Sequence, residues 1–153
     1  MDDRDRHILR ELQRDSSLSI EDLSSRVNLS RNACWRRVKQ LEEAGIIRAR
    51  VALLDQQKLN LGLTAFIAIR TSNHDQDWLD RFSAAVRAIP EIIGVYRTTG
   101  ETDYMLQAVV PDIAGYDQLY KRIIAKVPLS DVSSFFVMEK VKETTELPVD
   151  YAG

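Results

Sequence analysis

Three short segments at the start of the chain carry apolar residues at helical spacing. Their stripes are Ile8, Leu9 and Leu12; Ile20, Leu23 and Val27; and Cys34, Val38 and Leu41. Positions three, four and seven apart lie on one face of an α-helix, so each segment can bury one side. We therefore predict a helix over residues 2–13, a second after Ser19, and a third between Ser30 and Gly45. Three helices of this size can share one small core.

The second and third helices are joined by a very short connection. Asn28 tolerates a left-handed backbone, so Asn28, Leu29 and Ser30 suit a tight turn. Ser30 is a good N-cap for the third helix, and Gly45 is a good C-terminal stop. The pattern predicts a helix-turn-helix, in which the third helix is the one that enters the major groove of DNA.

The side of the third helix opposite its apolar stripe carries cationic and amide groups. Asn32, Arg36 and Lys39 lie on this side, and Arg31 lies in the first turn. Arginine and lysine bind phosphates or guanine, and asparagine can bind adenine. Arg37 lies only about 60° from the buried stripe, so it can instead pair with an acid of the first helix. A solvated basic surface is the alternative interpretation of this whole face.

After the third helix the pattern becomes an alternation of apolar and polar residues. Ile47, Ala49 and Val51 alternate with Arg48 and Arg50, which predicts a strand or β-ribbon over residues 46–54. We interpret it as a wing whose two arginines face DNA phosphates; a solvated strand face is the alternative. Residues 55–62 form a polar linker that can contain one helical turn and ends in a glycine. The predicted domains are thus residues 1–54 and 63–153.

The second half of the chain repeats a strand–helix–strand pattern twice. The predicted strands are residues 63–71, 92–98, 104–110 and 132–138, and the predicted helices are residues 75–89 and 113–127, each ended by a proline. Two such units of nearly equal length predict an α+β, ferredoxin-like fold, with a four-stranded antiparallel sheet covered by two helices on one face. The segment after it, residues 139–153, has a weaker pattern and can add an edge strand.

The uncovered face of this sheet would expose large aromatic side chains. These are Phe66, Tyr96, Phe135 and Phe136. A patch of this size is unfavourable in water, so we predict that two copies of the chain dimerise sheet to sheet.

The composition is ordinary for a globular protein: of 153 residues, 44% are hydrophobic and 29% charged. No apolar run reaches the length of a membrane span and no signal peptide opens the chain, so we expect a cytoplasmic protein. The single cysteine, Cys34, belongs to a core stripe, and with His7 and His74 it does not make a zinc site. We expect neither a metal nor a cofactor.

The net charge of −2 at first argues against nucleic acid, but the distribution of charge does not. Residues 31–50 hold six basic and two acidic residues, a net of +4. Residues 51–153 hold ten basic and fourteen acidic residues, a net of −4. The positive field is therefore confined to the predicted reading helix and the segment after it.

With both halves placed, the chain resembles the Lrp/AsnC family of bacterial and archaeal regulators, the feast/famine proteins. The marks in the first half are Asp5, Ile8-Leu9 and Leu12-Gln13, then Leu29-Ser30, Cys34-Trp35-Arg36-Arg37, Leu41-Glu42 and Gly45-Ile46-Ile47. The mark in the second half is Thr99-Gly100-Glu101-Thr102-Asp103-Tyr104-Met105-Leu106. Three further segments resemble a branch that includes cysteine-responsive regulators: Ala52-Leu53-Leu54-Asp55, Leu61-Gly62-Leu63-Thr64-Ala65-Phe66 and Tyr120-Lys121-Arg122.

The resemblance implies a winged helix-turn-helix followed by an effector-sensing domain, in dimers that assemble further, often to octamers. It also implies a small effector, usually an amino acid, bound between dimers near a Gly-x-x-Asp-Tyr turn. Carried onto this sequence, that site comprises Thr98, Thr99, Gly100, Glu101, Asp103 and Tyr104, with the loop around Ser133 and Ser134 of a neighbouring chain as a further candidate. Backbone N–H groups at the glycine can bind a carboxylate, and Asp103 can accept from an ammonium group. A plain hairpin turn capped by Asp103 is the alternative interpretation.

The favoured function is a sequence-specific DNA-binding regulator whose assembly a small effector modulates. Its DNA contacts would come from Ser30, Arg31, Asn32, Arg36, Arg37, Lys39, Arg48 and Arg50. The second candidate is a DNA-wrapping protein independent of any effector, which would bind unrelated sequences equally well. An enzyme is the third, and the sequence offers it no identifiable nucleophile–base pair, glycine-rich phosphate loop or metal-ligand set.

Overall fold

The helices and strands of the computed structural model, which describes residues 1–73 and 75–152, lie close to the predicted ones. The helices are α1 (Asp3–Arg14), α2 (Ile20–Arg26), α3 (Arg31–Glu43), α4 (Gln76–Arg87) and α5 (Ile113–Ile124). The strands are β1 (Leu63–Arg70), β2 (Ile92–Arg97), β3 (Tyr104–Val110) and β4 (Asp131–Phe136). Short 3-10 helices span Gln57–Leu59 and Val149–Tyr151. His74, which we do not expect to bind zinc, lies outside the described residues.

These elements form two units. The N-terminal unit comprises Met1–Leu53 together with the tail, which is the chain from Lys142 onward. The C-terminal unit comprises Leu54–Val141. Among the described residues, no helix is long and apolar enough to cross a membrane.

The N-terminal unit buries the three predicted apolar stripes against one another. Its core consists of Ile8, Leu9, Leu12, Leu23, Val27, Cys34, Val38 and Leu41, and Ile20 is packed against it. Side-chain caps start all three helices, at Asp2, Ser19 and Ser30. Burial raises the pKa of the Cys34 thiol, which therefore stays protonated and inert. The predicted three-helix core and the structural role of the cysteine are confirmed.

The tail lies along α1 and contains no strand among its described residues. The Gln13 side-chain amide N–H donates to the Leu147 carbonyl at 3.1 Å, and the Leu147 N–H donates back to the side-chain amide oxygen of Gln13, Oε1, at 2.6 Å. Val149 packs against the helical core. The predicted domain limits placed this segment with the second domain, as an optional edge strand. Its partners are 134 residues away in the chain, so no local pattern reveals them.

The segment after α3 is irregular. Residues 48–55 have no regular secondary structure, so the strand predicted over residues 46–54 is wrong. The N–H groups of Ile46 and Ile47 both donate to the Leu41 carbonyl, at 3.0 and 3.1 Å, and thereby finish α3. An alternating pattern forms a strand only where another strand pairs with it, and no described residue does so here. Arg48 and Arg50 therefore lie on an irregular segment that pairs with no strand among the described residues.

The C-terminal unit is the predicted ferredoxin-like fold. Its four strands are all antiparallel and lie in the order β2-β3-β1-β4. One face of the sheet packs on α4 and α5, and Ile67, Leu106, Trp78, Phe82 and Leu119 meet in its core. The helices cover this face because the helical spacing of their apolar residues gives each helix one apolar side. The strands direct alternate residues toward that side.

The other face of the sheet is uncovered in one chain. Phe66 pairs with Phe135 across β1 and β4, and Tyr96 pairs with Met105 across β2 and β3. Cross-strand partners share a face, so Phe66, Tyr96 and Phe135 form one exposed patch. Phe136 does not belong to it: it pairs with buried Ala65, and its ring packs edge-on against Tyr116 of α5 at 4.9 Å. Adjacent positions of a strand point to opposite faces, which the prediction of four aromatics on one face overlooked.

Candidate nucleic-acid interface and candidate ligand-binding hairpin

The helix α3 is set up by a tight turn and a side-chain cap. Asn28 adopts the left-handed conformation with φ +53°, as predicted for this turn. The Leu29 N–H donates to the Ser24 carbonyl at 3.0 Å, and the Ser30 hydroxyl accepts from the Ala33 N–H at 3.3 Å. At the other end Gly45 has φ +70°, which ends the helix. The result is the predicted helix-turn-helix, with α3 exposed along one side.

Several polar groups on this exposed side have no internal partner. Arg31, Asn32 and Arg36 are exposed, and their side chains make no hydrogen bond or ion pair with any described residue. The same holds for Arg48 on the segment after α3. A guanidinium group exposed without a partner can bind a phosphate or a base edge at no cost of breaking an ion pair. This group of three arginines and one asparagine is the part of the surface best prepared for DNA.

Two further cations share an acid of the same helix. Lys39 lies 3.1 Å from Glu42, and Arg50 lies 3.3 Å from Glu42 and donates to the Ser16 carbonyl at 3.2 Å. The hydrogen bond from Lys39, with the neighbouring charges, lowers the pKa of the Glu42 carboxyl. Exposed pairs of this kind are weak, so both cations can exchange Glu42 for a phosphate.

Arg37 is held differently. Its guanidinium donates to Asp2 at 2.7 Å and to Asp5 at 2.8 Å, both at the N-terminus of α1. Both bonds raise the pKa of the Arg37 guanidinium, and the bond to Asp5 makes the larger contribution. The Asp2 carboxyl has a lowered pKa, chiefly through its bond to the Asp5 N–H and then through Arg37. The pairing of Arg37 with acids of the first helix, which the sequence analysis raised, is present.

Arg4 is a neighbouring residue that the sequence analysis missed. Its guanidinium donates to the Val27 carbonyl at 2.9 Å and to the Asn28 carbonyl at 3.1 Å. These carbonyls end α2 and form the turn before α3. No sequence signal could have identified this contact, because its acceptors are backbone atoms that every residue possesses.

The second candidate site is the hairpin between β2 and β3. The Thr98 N–H donates to the Asp103 carbonyl at 2.9 Å, and the Thr98 hydroxyl donates to the Thr102 carbonyl. Gly100 has φ +95°, a conformation that other residues rarely adopt, and an added Cβ would meet nothing within 4 Å. Thr99 and Glu101 are exposed and make no hydrogen bond or ion pair within the described chain. The tip of the hairpin is therefore open.

Asp103 joins the hairpin to the end of β1. Its N–H donates to the Ile69 carbonyl at 3.0 Å, and its Oδ2 accepts from the Thr71 N–H at 2.8 Å. Among the described residues, none bonds to its Oδ1. The carboxylate thus has a structural partner and one oxygen left. The turn capped by Asp103, our alternative interpretation, is present in part, although the capped N–H is that of Thr71, directly after β1, and not one of the hairpin itself.

The remaining predicted effector residues do not gather at the hairpin tip. The Tyr104 ring packs in the core against Phe82 at 4.8 Å and Trp78 at 5.9 Å. Ser133 and Ser134 lie in the strand β4 and not in a loop, which corrects that expectation. Ser134 pairs with Ile67 on the helix-covered face and bonds to the Tyr116 hydroxyl, whereas Ser133 is exposed on the opposite face. One binding site within a chain cannot use both serines.

Residues 1–48 match the family model described as winged helix-turn-helix DNA-binding, and residues 64–147 match that of the Lrp/AsnC ligand binding domain. A relative named DNA-binding transcriptional activator DecR, of Escherichia coli K12, is 46% identical over 98% of this chain and 99% of its own.

Two solved structures are similar over nearly the whole chain. An AsnC family transcriptional regulator from Agrobacterium tumefaciens is 55% identical, with a TM-score of 0.95 over 99% of both chains. A transcriptional regulator of Neisseria meningitidis, in complex with L-methionine, is 40% identical, with a TM-score of 0.93 over 98% of this chain and 97% of that one.

Proposed function

Because the chain belongs to the Lrp/AsnC family of transcriptional regulators, we propose that α3 binds its operator DNA and that an amino acid bound near the hairpin of residues 98–103 modulates this binding. The protein is a DNA-binding regulator and not an enzyme, since its relatives are named as transcriptional regulators. The resemblance found in the sequence is thereby confirmed, while the cysteine-responsive branch stays a prediction. As a regulator of transcription, it would work in the cytoplasm, where the chromosome lies.

The observation that carries the DNA half of the proposal is the set of exposed, unpaired groups on α3. Arg31, Asn32 and Arg36 would contact bases and phosphates of the major groove, and Arg48 would contact a phosphate. Lys39 and Arg50 would join after leaving Glu42. The Ser30 hydroxyl already accepts from the Ala33 N–H and can at most donate to a phosphate. Arg37 would not contact DNA directly, because it is paired with Asp2 and Asp5.

We propose a dimer as the DNA-binding form. The exposed patch of Phe66, Tyr96 and Phe135 would be covered by the same patch of a second copy. Two reading helices related by a twofold axis favour a near-palindromic site, with half-sites about 34 Å apart or a multiple of that distance. Further assembly of dimers, up to octamers, is what the family resemblance implies.

An amino acid is the effector that the hairpin would accommodate. Gly100 and its neighbours present backbone at an open tip, and Asp103 has one carboxylate oxygen without a partner in the described chain. These groups complement the carboxylate and the ammonium that all amino acids share. The related regulator of Neisseria meningitidis was solved with L-methionine, which supports this class of ligand without naming the one used here. An effector must favour one assembly over another by about 1–3 kcal/mol to regulate DNA binding.

Thermal unfolding in the presence of each of the twenty amino acids tests the effector half. A ligand at 100 times its dissociation constant stabilises the protein by about 2.7 kcal/mol, an easily measured shift. We expect a responder whose effect is lost in Asp103→Asn, because asparagine can still accept from the Thr71 N–H but lacks the charge that binds an ammonium. Asp117→Asn, which removes the same charge on α5, should respond like the wild type.

Two outcomes would contradict the proposal. If no amino acid stabilises the protein, the effector is of another class or absent. If the protein also binds unrelated duplexes as tightly as a selected one, the effector-independent DNA-wrapping function is favoured instead.

A further inference from the structure

The first turn of α1 contacts the reading helix and the turn before it through two arginines. Arg37 of α3 donates to Asp2 and Asp5, at 2.7 and 2.8 Å, with a single nitrogen, Nη1. Arg4, between these two acids in the chain, donates to the Val27 and Asn28 carbonyls. Residues 2–5 therefore hold α3 at one point and the connection that starts it at another.

Asp2 and Asp5 each divide their two oxygens between two partners. Asp2 accepts from the Asp5 N–H with Oδ1, at 2.9 Å, and from Arg37 with Oδ2. Asp5 accepts from the Asp2 N–H with Oδ2, at 3.1 Å, and from Arg37 with Oδ1. The reciprocal bonds between the aspartates are the N-terminal cap of α1. The cap holds both carboxylates in place independently of Arg37. They can therefore fix the position of Arg37, and with it that of α3.

Without this contact, the orientation of α3 would depend mostly on apolar packing. Its buried stripe has three members, Cys34, Val38 and Leu41. Apolar packing is not directional, so a small rotation of the helix on its core costs little compared with breaking a charge-assisted hydrogen bond. Arg36 precedes Arg37 directly, so any rotation that Arg37 resists would also displace Arg36 on the DNA.

We propose that Asp2, Arg4, Asp5 and Arg37 form a clamp that positions α3 for sequence discrimination, and that Arg37 itself does not bind DNA. The clamp rests on the proposed function, since it presupposes that α3 reads the operator. It assigns a role in specificity to four residues outside the exposed reading face. All of these bonds lie within the N-terminal unit, so the clamp operates in a single chain.

The clamp and a direct DNA contact predict opposite signs for one variant. If Arg37 bound phosphate, Asp5→Asn would release it from a competing acid, and the affinity for every duplex would rise. If Arg37 is a clamp, Asp5→Asn weakens the anchor, and the affinity for the selected duplex alone falls. Asn can keep the bond to the Asp2 N–H through its amide oxygen, so the cap of α1 is retained.

The test uses the full-length protein and two duplexes, one selected from a random pool by the wild type and one of shuffled sequence. Affinities are measured over a range of salt concentrations. Asp3→Asn is the matched control, because Asp3 lies in the same turn, carries the same charge and pairs only with Arg6 in the described chain. We expect Asp5→Asn to reduce the ratio of selected to shuffled affinity by about tenfold relative to Asp3→Asn, the size of one lost charge-assisted hydrogen bond.

Arg37→Met supplies a second measurement that does not depend on the aspartates. It keeps the apolar stem and removes the guanidinium. A clamp predicts a reduced ratio of selected to shuffled affinity with an unchanged salt dependence. A lost phosphate contact would instead make the fall of log affinity with log salt less steep, by about 0.9. Two results would overturn the clamp. One is a less steep salt dependence in Arg37→Met than in the wild type, and the other is a higher affinity for both duplexes in Asp5→Asn than in Asp3→Asn. A wild-type protein that selects no duplex would instead overturn the proposed function.

Discussion

The exposed side of α3 and the hairpin of residues 98–103 differ in how much of each is complete within one chain. On α3, the polar side chains of Arg31, Asn32 and Arg36 have no internal partner among the described residues, and the helix that carries them has its own cap and core. At the hairpin, the Asp103 carboxylate already accepts from the Thr71 N–H, and the Tyr104 ring belongs to the core. Ser133 and Ser134 lie on opposite faces of the sheet. The proposed DNA-binding surface therefore has its polar groups available within one chain, whereas the hairpin supplies only part of the effector site that we propose.

This difference follows from what the two surfaces would bind. A duplex is long and regular, so a single helix with cations on one side can bind it. A small zwitterion must be surrounded to be recognised, and an open hairpin tip cannot surround it alone. The comparison therefore favours an effector site completed by a second copy, as the family resemblance implies.

The largest effect is expected from the core beneath the hairpin. Trp78 is 1% exposed, stacks on Phe82 at 5.0 Å and donates to the Pro128 carbonyl at 2.8 Å. Trp78→Ala should lower the free energy of unfolding of the C-terminal unit by about 3–5 kcal/mol, because it leaves a cavity next to Tyr104. Urea unfolding followed by circular dichroism measures it. Trp35→Ala on α3, where the side chain is 54% exposed, is the control and should change stability by about 0.5 kcal/mol or less.

Equal losses for the two tryptophans would contradict the comparison, since they would mean that the surface of α3 depends on packing as strongly as the hairpin does.

An intermediate effect is expected on operator binding. Arg36→Ala removes a free cation from α3 and should weaken binding to a selected duplex by about 1–3 kcal/mol, with lost discrimination at one base pair if the arginine reads a base. Fluorescence anisotropy on duplexes with single substitutions measures both. Arg87→Ala, which removes an exposed arginine of α4, should leave the affinity unchanged. Equal losses on all duplexes would make Arg36 a phosphate contact, and no loss would show that α3 is not the reading helix.

The smallest effect is expected from the paired cations. The pKa of Glu42 is lowered by Lys39 and then by Arg50, so its stabilising contribution is present above the usual range for a carboxyl and is lost as the pH falls through the lowered pKa. Glu42→Gln should therefore cost less than about 1 kcal/mol at neutral pH, a difference that narrows in acid. Thermal unfolding at a series of pH values measures it.

The neighbouring variant Glu43→Gln is the control, because Glu43 is exposed and has no partner in the described chain. If the gap between the Glu42→Gln variant and the wild type stayed constant from neutral to acid pH, the ion pairs of Lys39 and Arg50 would not be the cause. The two cations would then be as free as Arg36.

Local patterns predicted most of the N-terminal unit and of the sheet. The stripe of Cys34, Val38 and Leu41 is visible because a helix places residues of fixed spacing on one side, whatever surrounds it. The turn at Asn28 and the open turn at Gly100 are visible because few residues tolerate a positive φ. The strand predicted after α3 failed for the opposite reason, since a strand needs a partner that the alternation does not reveal.

The sequence by itself determined which surfaces are apolar, which are basic and where the chain turns, because these properties depend on neighbours within a few residues. Only the tertiary structure decided that Arg37 is tied to Asp2 and Asp5, that Asp103 joins Thr71, and that the tail binds Gln13. Each of these contacts joins residues far apart in the chain through only one or two hydrogen bonds. Such bonds leave no periodic trace in the sequence, since the groups involved are ordinary polar side chains or backbone atoms until the fold brings them together.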